Sequence, residues 1–147
     1  MKTRSIYLRS VADPTKHVQT TGVQHGSKLQ VGPSKQAFTA FLMGNKWGDG
    51  QRVMLGVNED LLVLAPGDGG QLQLHDRFGS PFTIRHGVDN SWALVATGSP
   101  VSLRVGRSDY HGDDVGQVRT LDPTAPILDW ESFEVIDAST GKVLGPF

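Results

Sequence analysis

IYLRSVADPTKHVQTT, residues 6–21, holds two short alternating runs on either side of an Asp13-Pro14 turn. Ile6 and Leu8 alternate with Tyr7 and Arg9, and Val18 stands between His17 and Gln19, the period-two signature of half-buried strands. The same order of strand, polar turn and strand returns in RVMLGVNEDLLVLA at 52–65 and in WALVATGSPVSLRVG at 92–106. Downstream of each copy lies a strand centred on an aromatic residue: AFTAF at 37–41, PFTI at 81–84 and WESFEVI at 130–136. Phe38, Phe82 and Phe133 are 44 and 51 residues apart, and Leu8, Leu55 and Leu94 are 47 and 39 apart, against 49 for a third of the 147-residue chain. A period of that size marks a repeated supersecondary unit that cannot bury its apolar face alone.

Outward from these copies the pattern stays extended. Leu29 and Val31, Phe38 to Leu42, and Leu72 and Leu74 form further short candidates. GPSK, NKWGDG and APGDGG interrupt them, and eighteen glycines are scattered rather than periodic. Turn signals recur about every eight to twelve residues and no amphipathic helix is apparent, which predicts an all-β chain. A β-sandwich gives similar alternation. Three units spaced near a third of the chain favour a β-trefoil of twelve short strands instead, six closing a barrel and three hairpins capping one end. The expectation is one domain over 1–147, with approximate repeats at 4–50, 51–90 and 91–147. The third unit carries a longer excursion at 106–129.

Composition removes whole classes of function. There is no cysteine, so disulfides, thiolate nucleophiles and Cys-based metal centres are excluded. Fourteen basic against fifteen acidic residues leave a net charge of -1, which offers no electrostatic footing for nucleic acid. No apolar run approaches the length of a membrane span, and MKTRSIYLRSVADPTK has no apolar segment behind its early positive charge. The default expectation is therefore a soluble, cytoplasmic protein with no signal peptide and no cofactor.

WESFEVIDA, Trp130 to Ala138, resembles the strand that closes each repeat of fascin-like β-trefoil domains, and IYLRSVADPTKHVQTT resembles the leading hairpin of that family. The resemblance implies a β-trefoil. It also implies non-catalytic binding, since the family includes actin-bundling proteins, a histidine-rich actin-binding protein and trefoil modules attached to bacterial carbohydrate-active enzymes. Five histidines are too few for the histidine-rich branch. The glutamine-any-tryptophan motif of ricin-type lectins is absent.

No serine sits in a nucleophile-elbow context, and His25-Gly26-Ser27 reads as a polar turn, so catalysis is not expected. Sugar recognition needs an aromatic face with amides or carboxylates beside it. Trp47 in GNKWGDG, with Asn45 and Asp49, fits that need first; Trp92 with Asn90, and Tyr110 in the long excursion, come next. Trp130 is expected in the core with Phe38, Phe82 and Phe133. Asp109, His111, Asp113 and Asp114 are weak candidates for metal ligands, and a solvated loop accounts for them more simply. His75-Asp76 and His86 with Asp89 read as surface polar pairs. A glycan is the leading expected partner. A protein partner, such as a cytoskeletal target, is the alternative.

Overall fold

Thirteen strands form in the computed structural model, which describes residues 2–57, 62–66, 70–77, 79–96, 102–107 and 112–144, with backbone alone for 62–66. They are β1 (Lys2–Ser10), β2 (His17–Thr20), β3 (Leu29–Gly32), β4 (Phe38–Leu42), β5 (Arg52–Val57), β6 (Leu62–Pro66), β7 (Leu72–His75), β8 (Phe82–His86), β9 (Trp92–Ala96), β10 (Ser102–Arg107), β11 (Val115–Thr120), β12 (Phe133–Asp137) and β13 (Val143–Leu144). Antiparallel pairing runs β1 to β4, β4 to β5, β5 to β8, β8 to β9, β9 to β12, and from β12 back to β1. That ring is a closed six-stranded barrel, which leaves no free sheet edge. The hairpins β2–β3, β6–β7 and β10–β11 stand outside it. The topology is that of a β-trefoil, with β13 added beside β12.

The register explains why the aromatic period was visible in the sequence. Phe38 lies opposite Ile6, Phe82 opposite Val53, and Phe133 opposite Trp92. Two residues along, Leu8 faces Val135, Leu55 faces Ala40, and Leu94 faces Ile84. All of these side chains are at most 5% exposed. Each large apolar side chain sealed this way contributes about 1.5–3 kcal/mol.

The hairpins close on one another by the same threefold rule. Lys28 bridges to Gln73, Gln71 to Gly116, and Asp114 to Gln30, so the second strands β3, β7 and β11 meet pairwise in a triangle. Leu29, Leu72 and Val115, each beside a bridging residue, are at most 2% exposed. At one junction the chains approach too closely for a side chain. A Cβ on Gly116 would stand 2.7 Å from the Gly70 carbonyl oxygen and 3.1 Å from the Gln71 Cα.

Two expectations change. Strand β11 lies inside the stretch read as a long excursion, because VGQVRT has only Val115 and Val118 to announce it and Gly116 in a bridging position. Trp130 is not in the core: it sits half-buried in a 3₁₀ turn, Asp129–Glu131, and the buried member of that turn is Glu131. No helix among the described residues is long and apolar enough to cross a membrane.

Candidate functional site

The β4–β5 connection turns on residues that accept a left-handed backbone: Asn45 has φ 68° and Gly50 has φ 82°. Met43 N–H donates to the Arg52 carbonyl at 3.0 Å and Gln51 N–H to the Gly48 carbonyl at 3.1 Å, so the loop is pinned at its base. Trp47 leans back onto the barrel core, while Asn45 and Asp49 stay exposed on either side of it. Its ring meets Trp92 edge to face, centroids 6.1 Å apart at 80°. The Trp47 indole N–H is buried without a hydrogen-bond partner.

Trp92 is not a platform. It opens β9 at 5% exposure, its indole N–H donates to the Leu144 carbonyl, and its ring packs against His86 at 5.4 Å. Its role is to back Trp47. Asn90 lines a different place, a hollow of about 220 Å³ of mixed character between Arg9, Val11, Pro14, Val88, Asp89 and Glu134 among others. There the Arg9 guanidinium is hydrogen-bonded to the Glu134 carboxylate, and Asp89 turns the chain with φ 54°.

A second concavity lies beside β11 and the 3₁₀ turn that precedes β12. It encloses about 360 Å³ between Val118, Leu121, Ala125, Pro126, Leu128 and Trp130. Leu121 is 76% exposed and Leu128 48%. The segment is held from below by a buried ion pair. Arg104 Nη1 lies 3.2 Å from Glu131 Oε1 and donates to the Pro126 carbonyl at 2.9 Å; Nη2 donates to the Ala125 carbonyl. Glu131 Oε1 also accepts the Leu128 N–H at 2.9 Å. Pairing and several hydrogen bonds are what a buried charge requires. The cues were an arginine in an alternating strand and the glutamate of WESF, and neither announces burial by itself.

Of the remaining expected site residues, only Asp113 and Asp114 are described. Tyr110, Asp109 and His111 lie outside the described residues. The Asp113 carboxylate is held by Lys16 Nζ at 2.9 Å and by Arg107 Nη2 at 3.0 Å, and Asp114 takes part in the bridge to Gln30.

The groups with shifted acidity serve turns and strands. Asp13, Asp122 and Asp137 each accept the hydroxyl of Thr15, Thr124 or Ser139, and that bond holds each carboxyl below the usual range. His17, buried at the start of β2 with both ring nitrogens unpartnered, is held below the ordinary histidine range first by desolvation and then by Lys35 and Arg9, with Glu134 opposing.

Comparison with known proteins returns no matching family model, no matching curated protein and no matching solved structure.

Proposed function

We propose that this chain is a non-catalytic binding module that takes a glycan at the β4–β5 end of the barrel. Trp47 is the observation that carries the reading. Its ring is steadied by Trp92, and exposed Asn45 and Asp49 flank it to meet sugar hydroxyls. Turning the ring to present its N–H breaks no hydrogen bond, because that donor has none. The resemblance of WESFEVIDA to fascin-like trefoils, which include modules attached to carbohydrate-active enzymes, points the same way. A single shallow site of this kind binds weakly and gains from repetition.

A glycan array probed with the purified chain and with Trp47→Ala tests it. Binding to one sugar class that vanishes in the variant, with an unchanged circular dichroism spectrum, supports the reading. Silence across the array, or equal binding by the variant, removes it.

A second reading rests on a separate observation. Leu121, Leu128 and Trp130 form a mostly apolar groove in which Arg104 and Glu131 are buried and paired, and Arg119 is the exposed charged residue. Such a surface suits a protein partner better than a sugar. In cross-linking, a protein partner captured by the wild-type chain and lost with Leu121→Ser plus Leu128→Ser would place recognition there.

A further inference from the structure

From the meeting of the first and second hairpins we infer that His25, His75 and Asp76 form a binding site for a divalent transition-metal ion, with Zn²⁺ as the representative. His25 belongs to the β2–β3 connection. His75 and Asp76 close β7 and follow it, fifty residues further along. Folding brings the three together: their ligand atoms all lie within 4.8 Å of one another, and the two imidazole rings meet at 4.5 Å and 69°.

The spacing is that of a coordination polyhedron. His25 Nδ1 is 3.2 Å from Asp76 Oδ1, and His75 Nδ1 is 3.7 Å from the same oxygen. A tetrahedral ion with bonds of about 2.0–2.1 Å holds its ligands about 3.3 Å apart, which small rotations of exposed His25 and Asp76 about half-buried His75 reach. Two imidazoles and one carboxylate favour zinc, copper or nickel over calcium or magnesium. With three protein ligands on the surface, the remaining position is left to water.

Both imidazoles present the required lone pair. His25 Nδ1 accepts the Asp76 N–H at 3.2 Å, and His75 Nδ1 accepts the Arg77 N–H at 3.0 Å, so neither nitrogen carries a proton in this arrangement. Coordination replaces those two hydrogen bonds, and both backbone donors lie where water can satisfy them. The loop beneath is fixed: Gly26 N–H donates to the Leu74 carbonyl and Leu74 N–H to the Ser27 carbonyl, each at 2.8 Å.

The fold does not demand these residues. The three bridges equate Lys28, Gln71 and Asp114, and likewise Gln30, Gln73 and Gly116. Two and three residues beyond the latter set stand His75 and Asp76 in the second unit, Gly32 and Pro33 in the first, and Val118 and Arg119 in the third. Of these three equivalent pairs, only His75 and Asp76 are two metal-ligating residue types, so no other unit carries the full set of three. An ion there ties the first hairpin to the second across the cap.

The test uses tag-free, chelator-treated protein and Zn²⁺ alone, by titration calorimetry and thermal unfolding. The expected result is one Zn²⁺ per chain and a rise in Tm of roughly 5–10 °C at saturating metal. Both effects are lost in His25→Gln and in Asp76→Asn, whose side chains are exposed and whose loss leaves the fold intact, and both persist in His86→Gln. Co²⁺ substitution should give the visible absorption of a four-coordinate ion in the wild type and not in His25→Gln. Absence of heat and of any Tm shift in the wild type overturns the site. So does Zn²⁺ binding that survives both His25→Gln and Asp76→Asn.

Discussion

The Arg104 guanidinium and the Glu131 carboxylate face each other at 3.2 Å with both side chains at most 4% exposed, which makes them a buried ion pair across 27 residues of chain. It joins β10 to the turn that precedes β12, and through the Ala125 and Pro126 carbonyls it holds the rim of the apolar groove. Removing one partner strands the other charge out of water. Glu131→Ala should therefore cost about 3–5 kcal/mol in denaturant unfolding, while Arg104→Met with Glu131→Leu should recover much of that loss. A loss below about 1 kcal/mol in Glu131→Ala would show that the pair does not anchor the segment.

The contrast between the two tryptophans makes a second prediction. Trp92 stands opposite Phe133 inside the barrel and Trp47 leans on it from the loop. Trp92→Ala should cost about 3–5 kcal/mol, as truncation of a buried aromatic does. Trp47→Ala, which leaves the barrel layer intact, should cost distinctly less. Equal losses by urea denaturation would mean that Trp47 is as much a part of the core as Trp92.

The barrel was legible because its residues obey local rules. Phe38, Phe82 and Phe133 occupy matching register positions, so burial imposed the same residue type three times. The cap was less legible. Strand β11 carries Gly116 where two backbones nearly touch, and that need for space erased the alternation that would have revealed it. Trp130 was misplaced because a sequence motif records that an aromatic is present, and here the neighbouring Glu131 turns inward to Arg104 while the tryptophan is left half-buried. Of the candidate glycan site, the loop residues Asn45, Trp47 and Asp49 were readable from one turn. The backing by Trp92 was not, since it depends on pairing between β8, β9 and β12. The juxtaposition of His25 with His75 and Asp76 was hidden for the same reason: it is made by packing between hairpins.

Gly116 supplies a direct test of that close packing. Its added Cβ would meet backbone atoms of Gly70 and Gln71, which have no flexible side-chain end to yield. Gly116→Ala should destabilise the chain by about 1–3 kcal/mol. A chemical-denaturation midpoint unchanged from wild type would show that the second and third hairpins are not in backbone contact there.

His17 sets the pH dependence near neutrality. It is 8% exposed, neither ring nitrogen has a partner, and desolvation with the Lys35 and Arg9 charges holds its pKa below the ordinary value near 6.5, against the opposing pull of Glu134. In the window below about 6.5 the unfolded chain binds more protons than the folded one, so stability rises with pH through that window and is complete above it. The lowered carboxyls of Asp13, Asp122 and Asp137 act elsewhere: their stabilisation is present above their unfolded pKa and is lost only as pH falls below about 4. Urea unfolding should therefore show a first decline between about pH 7 and about pH 5, and His17→Gln should flatten that decline while leaving the loss below about pH 4 in place. An unchanged slope between pH 7 and 5 in His17→Gln would assign the decline to another group.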